Sequence, residues 1–281
     1  MMSGARLAFA PLAAALGLAA LPALASNPFL GTLTDEEART APAQRHAALE
    51  RDDALRELER LGVAFTKVPS DEAPGVDAPI RLTDKLNGVS FHGMVKPTAR
   101  KTSPFEIVDA RLALALHDFA RLLREHDIVE VTHYSMYRPP ARPRTAKQPV
   151  PPARSKDTAG TRGSHGAKTL PAVLPTKPAQ KPAQKPARHP AGLAIDAATF
   201  TKADGTKLDV LRDFDGQLGQ KTCGEGAPTR EAAAAKELRT IACDAMKEHL
   251  FTYILTPNFN AEHKNHFHME VKAGVKWFLV H

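Results

Sequence analysis

Apolar residues recur at helical spacing in three stretches of the chain. Residues 36–61, rich in Ala, Glu, Arg and Leu, predict helix up to a break at Gly62. The run Ser103-Pro104-Phe105-Glu106 combines a serine N-cap, a first-turn proline and a capping-box glutamate. The apolar stripe that follows this run predicts a helix that ends near Asp127, and a third helix is predicted over residues 229–250.

Short runs of β-branched and aromatic residues predict four strands, over residues 128–137, 193–200, 251–256 and 266–271. Residues 63–101 are punctuated by Pro and Gly, so we expect short strands and loops there. Helices and strands in this order predict an α+β fold.

The last predicted strand has two chemically different faces, because side chains alternate with a period of two. We expect its apolar face to pack on a core and its polar face to open into a cleft. In the strand over residues 193–200, Asp196 shares a face with two alanines that leave room for a metal ion. The apolar face of the last strand carries Phe267, Met269 and Val271, and the polar face carries His266, His268 and Glu270.

The first 25 residues predict an export signal. Arg6 precedes an apolar run over residues 7–24, and Ala23-Leu24-Ala25 fits the signal peptidase rule, so we predict cleavage after Ala25. An uncleaved membrane anchor is the alternative, which the alanine content and the cleavage site disfavour. No later stretch of the sequence is apolar enough to span a membrane. We therefore expect a bacterial periplasmic or secreted protein that is not inserted in the membrane after cleavage.

The net charge of +7 is concentrated in one segment. Residues 139–188 hold eleven Lys and Arg against a single acid, Asp157, together with eleven of the 23 prolines. Such a composition cannot bury a core, so we predict a disordered insert over residues 139–187. The insert is either a solvated loop or a tether to polyanionic wall material. Because the basic charge does not lie on a folded face, we expect no nucleic-acid partner.

Two histidine motifs carry the candidate chemistry. His189 and Asp196 are separated by six residues, and His266-Phe267-His268 follows in the last strand. Three protein ligands plus one water are typical of a catalytic zinc site, which predicts one Zn²⁺ per chain. His266 shares a strand face with His268 and suits a general base, whereas Arg138 suits stabilisation of an oxyanion. Glu270 is a candidate for orienting a ligand imidazole.

Cys223 and Cys243 are the two cysteines of the chain. In an exported protein an isolated pair predicts a disulfide. A role as metal ligands is the weaker alternative, because the histidine and aspartate set already completes a site.

The paired motifs resemble those of the LAS zinc peptidases, which include lysostaphin, D-Ala-D-Ala peptidases and hedgehog. The run from His263 to His268 is especially similar to the penicillin-insensitive murein endopeptidases. A wider set of segments resembles the extensin-like C-terminal domain of bacterial proteins, itself related to the LAS group. Those segments are residues 109–116, 137–140, 188–196 and 255–260, and the resemblance covers roughly residues 62–271 apart from the insert.

The resemblance implies a small antiparallel sheet that carries the zinc and is flanked by helices, as in the LAS and hedgehog folds. It implies that the metal ligands are His189, Asp196 and His268. It further implies that His266 lies beside the metal water, that Arg138 lies near the substrate carbonyl or carboxylate, and that His263 is an auxiliary histidine.

Two positions depart from the family pattern. Asn265 occupies the place of the glutamate base of D-Ala-D-Ala peptidases, and Ala187 occupies the place of a serine. The first departure favours an endopeptidase over a carboxypeptidase.

The sequence thus predicts a signal peptide (1–25), an N-terminal helical segment (26–61) and a zinc peptidase domain (62–281). We expect an exported metallopeptidase that hydrolyses peptide cross-links of peptidoglycan. The alternative is a non-catalytic module of the same fold that binds cell-wall peptides. The scissile bond and the oligomeric state stay open.

Overall fold

The computed structural model describes residues 29–140 and 188–281. The predicted signal peptide and nearly all of the predicted insert lie outside these residues. Within the described ranges the chain forms a mixed α+β fold, with one sheet of eight strands and one of three. The predicted fold class is therefore confirmed at the level of α+β.

The N-terminal segment contains a short strand and three short helices instead of one continuous helix. Pro42 explains the first division, because the residue before a proline is disfavoured in helical conformation, and Ala41 has an extended ψ of 124°. The predicted break is present, since Gly62 adopts a left-handed φ of 70°. The elements are β1 (Leu30–Thr32), α1 (Asp35–Thr40), α2 (Pro42–Ala47) and α3 (Arg51–Arg60).

The central helix begins later than predicted. Ser103 does act as a cap, but for a 3-10 turn, where its hydroxyl accepts a hydrogen bond from the Phe105 N–H. A strand follows, and Asp109 then caps the helix itself. The elements of this region are β2 (Phe65–Lys67), β3 (Pro79–Leu82), β4 (Ser90–Gly93), α4 (Pro97–Arg100), the 3-10 turn Pro104–Glu106, β5 (Ile107–Asp109) and α5 (Ala110–Glu125).

Helix α5 forms the centre of the hydrophobic core. Helices α2 and α3 pack against it, and residues such as Ala47 and Leu58 belong to the same buried cluster as Leu112 and Phe119. The described part of the N-terminal segment, residues 29–61, therefore contributes to the same core as the residues that follow.

The second half of the chain supplies most of the large sheet. All four predicted strands and the third helix are present, with tighter bounds except for β7, which ends two residues later than predicted, while β8 and β11 were not predicted. The elements are β6 (Ile128–His133), the 3-10 turn His189–Ala191, β7 (Ala194–Lys202), β8 (Lys207–Asp209), α6 (Val210–Asp213), α7 (Ala233–Lys247), β9 (Tyr253–Leu255), the 3-10 turn Ala261–His263, β10 (Phe267–Glu270) and β11 (Trp277–Val280).

The large sheet is mixed, whereas a small antiparallel sheet was predicted. Its order is β1-β11-β9-β10-β7-β6-β4, with β8 paired to β7. The pairs β4–β6 and β9–β11 are parallel, because strands outside the four predicted ones add to both edges. Within it, β9–β10, β10–β7 and β7–β6 are antiparallel pairs.

Cys223 and Cys243 form a disulfide, which confirms the predicted pairing. The bond ties the loop before α7 to the body of that helix. Among the residues that the structure describes, no helix has both the length and the apolar character needed to cross a membrane.

Candidate metal centre

Strands β7 and β10 place a carboxylate and an imidazole on the same face of the sheet. In their antiparallel register His268 lies opposite Asp196, so both side chains point to one side. On the opposite face, Phe267 contacts the rings of Phe200 and Phe214, at centroid distances of 5.7 and 5.5 Å. The apolar and polar faces of β10 therefore separate as the alternation predicted.

His189 reaches the same face from a tight turn. The 3-10 turn His189–Ala191 ends at Gly192, which has a left-handed φ of 66°. A Cβ atom at Gly192 would lie 2.9 Å from the backbone nitrogen of Asp109, so glycine is required for both its conformation and its close approach. The turn leads directly into β7 and brings the His189 imidazole within 3.0 Å of Asp196.

Three side chains converge on one point. Asp196 Oδ1 lies 3.0 Å from His189 Nε2 and 3.0 Å from His268 Nδ1. The candidate ligand atoms of these residues all lie within 4.8 Å of one another, and each residue is buried. Two imidazoles and a carboxylate are a donor set that suits a divalent transition-metal ion. His189, Asp196 and His268 thus form a possible metal-binding triad.

Each ligand imidazole is held by its second nitrogen. His189 Nδ1 lies 3.2 Å from the backbone oxygen of Met136, which can only accept a hydrogen bond. His268 Nε2 lies 3.3 Å from a carboxylate oxygen of Glu270. These partners fix a proton on His189 Nδ1 and on His268 Nε2. His189 Nε2 and His268 Nδ1 are thereby directed at Asp196.

The electrostatics of the triad centre on Asp196. Burial disfavours its charged form, but hydrogen bonds from His189, His266 and His268 outweigh burial and hold the pKa of its carboxyl well below the usual range. For His268, burial likewise opposes the charged form, and the hydrogen bonds to Asp196 and Glu270 outweigh it and raise the pKa to about 9. Asp196 is therefore an anion that attracts cations to this point, whether protons or a metal ion.

The comparison with protein families gives a match over the part of the chain that contains the triad. Residues 177–279 match the family described as extensin-like protein C-terminus. The match contains every histidine of the centre together with Asp196, but it starts after Arg138, so the wider resemblance from residue 62 is supported in its C-terminal part. Neither the comparison with curated proteins nor that with solved structures gives a significant match.

His266, inside the matched residues, and Arg138, which precedes them, also contact Asp196. His266 Nε2 lies 3.3 Å from Asp196 Oδ1, the same oxygen that the two triad histidines approach. The Arg138 guanidinium contacts Asp196 Oδ2 and donates to the Ser135 hydroxyl at 2.9 Å. Its side chain is 52% exposed, which makes it the solvent-facing member of the group.

His263 lies one layer further out. Its ring centroid is 5.1 Å from that of His266 and 5.6 Å from that of His268, and its Nδ1 bonds to the Asn260 amide oxygen at 2.7 Å. Burial, followed by the neighbouring His266 and His268, lowers the pKa of His263 to about 4. His263 is therefore neutral near pH 7 and borders the triad without joining it.

The segment after β6 supplies contacts that the sequence reasoning missed. Ser135 donates to Asp196 Oδ2 at 3.2 Å, and the backbone of Met136 holds His189. The Tyr134 N–H also donates to the backbone oxygen of Asp196, at 2.9 Å. These residues were predicted as the end of the strand over residues 128–137, and their position next to Arg138 was the available signal.

Proposed function

We propose that the protein is an exported zinc metallopeptidase of the LAS type, which hydrolyses peptide cross-links of peptidoglycan. The observation that carries the proposal is the convergence of His189 Nε2, Asp196 Oδ1 and His268 Nδ1, with His266 Nε2 directed at the same carboxylate oxygen.

The donor set fits zinc. Catalytic zinc sites use three protein ligands, commonly imidazoles and one carboxylate, and keep a further position for water or substrate. His189 Nδ1 is held by the backbone oxygen of Met136, and His268 Nε2 is held by the Glu270 carboxylate. Such hydrogen bonds orient the ligand imidazoles of zinc sites. When bound, zinc polarises a carbonyl and lowers the pKa of water to about 7.

The remaining residues have separate tasks in hydrolysis. His266 presents Nε2 to the triad and accepts a proton from the attacking water. Arg138, the exposed member of the group, donates to the oxyanion that forms as the peptide carbonyl is attacked. The partly buried His263 lies beside the ring of His266 and stays neutral near pH 7, so that it adds no positive charge next to the base.

The substrate class rests on the resemblance and on the predicted export signal. Murein endopeptidases act on wall peptides, and the run from His263 to His268 is especially similar to theirs. Asn265 stands where carboxypeptidases of the group carry glutamate, which favours cleavage within cross-links over removal of a terminal residue.

Digestion of purified peptidoglycan tests the proposal. The zinc-loaded wild-type protein should release new muropeptides, and His268→Ala should release none because it removes a ligand. His117→Ala, a partly exposed histidine on α5, should behave as wild type and serves as the control. Wild-type protein that binds muropeptides and leaves them intact would overturn the peptidase and establish the non-catalytic wall-binding module instead.

A further inference from the structure

We propose that the face of helix α7 beside the disulfide is a binding site for a phosphate group, carried either by the free ion or by a small phosphate ester. The site is a cavity of about 410 Å³ between α7 and the loop that precedes it. No metal ligand lies among its described residues, so the proposal does not depend on the proposed function. The cavity is lined by Thr222, Pro228, Thr229, Arg230, Lys236, Arg239, Thr240 and Cys243.

The lining of the cavity is strongly positive. Arg230, Lys236 and Arg239 contribute three cations, and no carboxylate is found among the described residues that line it. Asp215 lies 3.3 Å from Arg230 Nε, and Arg230 Nη2 donates to the Gln220 side-chain oxygen at 2.6 Å. The largely exposed Asp215 balances at most one of the three charges. The remaining positive charge favours a ligand with two negative charges over a monovalent one.

Arg239 is the buried member of the three basic residues, and part of its hydrogen-bonding capacity is unused. It is only 6% exposed, and its guanidinium carbon lies 4.5 Å from the centre of the Phe214 ring. Nη2 donates to the backbone oxygen of Asp215 at 3.1 Å, whereas Nε and Nη1 donate to no residue that the structure describes. A buried N–H group without an acceptor costs free energy, and the forked guanidinium matches the oxygens of a phosphate.

The proximity of two guanidinium groups adds a second reason for an anion. Burial, followed by the neighbouring Arg230, lowers the pKa of Arg239 to about 10, and Asp215 opposes this shift only in part. Both arginines stay charged near pH 7. An anion bound beside them would reduce their mutual repulsion and supply a partner for the buried charge.

The walls of the cavity are held in place without a ligand. The disulfide between Cys223 and Cys243 ties the loop to the body of α7. The hydroxyl of Thr222 lies 2.9 Å from that of Thr256, which fixes the loop to the residues after β9. Because both walls are already fixed, binding requires little further ordering of the chain.

The size of the cavity fits a small ligand. Small-molecule sites have volumes of roughly 300–1,000 Å³, and this cavity falls near the lower end of that range. The side chains of Thr229 and Lys236 are exposed at its rim and have no partner within the described ranges of the chain. They can therefore donate to a phosphate whose other oxygens face Arg239.

Titration calorimetry of the metal-free protein with inorganic phosphate, at physiological salt, tests the site. Wild type should bind one phosphate per chain. Arg230→Gln and Lys236→Gln should each weaken binding about tenfold, as expected when one charge-assisted hydrogen bond is lost. Lys247→Gln, at an exposed lysine in the last turn of α7, is the matched control and should bind as wild type does.

Two further variants separate this site from the fold and from the metal centre. Arg239→Lys keeps the charge but removes the fork, so it should weaken binding more than Lys236→Gln does. Circular dichroism checks that the variant is folded, and the two variants at Arg230 and Lys236 decide the question if it is not. His268→Ala should bind phosphate as wild type does, because the triad lies outside the cavity.

Other anions identify the ligand chemistry. Glycerol 3-phosphate should displace inorganic phosphate, and the tighter binder of the two identifies the ester or the free ion as the ligand. Acetate should bind at least about tenfold more weakly, because it carries one negative charge. The proposal would be overturned by acetate that binds as tightly as phosphate, by wild-type binding that does not saturate, or by wild-type affinity in both Arg230→Gln and Lys236→Gln.

Discussion

The two faces of strand β10 are almost equally buried but differ completely in chemistry. Phe267, Met269 and Val271 are at most 1% exposed, and His266, His268 and Glu270 on the other face are each 9% exposed. Burial of the apolar face stabilises the fold directly, by about 25 cal/mol for each Å² removed from water. Burial of the polar face costs free energy unless every group finds a partner.

The polar face meets that requirement through Asp196. The Asp196 carboxylate contacts three imidazoles, the Ser135 hydroxyl and the Arg138 guanidinium. Glu270 lies against the outer nitrogen of His268. One face of the strand therefore stabilises the core, and the other maintains a charged cluster that is organised for binding.

Removing the Asp196 carboxylate should have the largest effect on zinc binding. We expect Asp196→Asn to weaken zinc binding by at least about a thousandfold, because an anionic ligand at the centre of the triad becomes a neutral amide. Competition with a chromophoric chelator measures the affinity. Asp204→Asn, at an exposed carboxylate in the turn after β7, is the control. A folded Asp196→Asn protein with wild-type affinity would contradict the assignment of the ligands.

The complementary substitution is Phe267→Ala, which should affect stability alone. Phe267 is fully buried against Phe200 and Phe214, so its truncation should lower the free energy of unfolding by about 3–5 kcal/mol. Urea denaturation in the presence of chelator measures this loss. Folded Phe267→Ala should still bind one zinc ion. Phe105→Ala, at a site that is 38% exposed, should cost much less. A variant that keeps its stability but loses zinc would show that the two faces are not independent.

The sequence predicted the residues of the polar face because the evidence there is local. A period of two separates His266 and His268 from Phe267, and the spacing of His189 and Asp196 crosses one turn into one strand. The structure brings these residues together because β7 pairs with β10, and local pattern alone does not specify that pairing.

The edge strands of the sheet, and the residues that hold the triad side chains in place, could not be predicted from local sequence pattern. Strands β1 and β11 are short, and they become strands by pairing with one another and with β9. The Ser103 signal was interpreted as the start of a long helix, because local capping patterns do not distinguish a 3-10 turn from an α-helix. The contacts of Ser135 with Asp196 and of Asn265 with His266 depend on the tertiary fold, which leaves no periodic pattern in the sequence.

The disulfide lies outside both faces of β10, so its removal should change stability without changing zinc binding. Replacing Cys223 and Cys243 together by Ser should lower the free energy of unfolding by roughly 3 kcal/mol in the chain-entropy estimate, and zinc affinity should stay unchanged. Chemical denaturation and zinc titration measure the two quantities. Thiol titration of the denatured, unreduced wild-type protein should detect no thiol, and two titratable thiols would disprove the bond.

A change of pH should have the mildest effect, and it should act on the polar face alone. Hydrogen bonds to Asp196 and Glu270 outweigh burial and raise the pKa of His268 from 6.5 to about 9. In the metal-free protein, protonated His268 therefore contributes stability that is fully present below pH 6.5 and is lost as the pH rises through about 9.

Zinc binding should show the opposite trend, because a metal ion must displace the proton from His268 Nδ1. We expect the affinity to rise up to tenfold per pH unit, or about 1.4 kcal/mol, until the pH reaches the pKa of His268. Titration calorimetry at pH 7 in buffers of different ionisation enthalpy should detect about one proton released per zinc ion. Glu270→Gln replaces a charged acceptor of His268 by a neutral amide oxygen, so it should move the upper limit of this rise to lower pH. Phe267→Ala should lower stability equally at every pH and leave the slope unchanged, and a changed slope would mean that the apolar face helps to set the charge of the polar one.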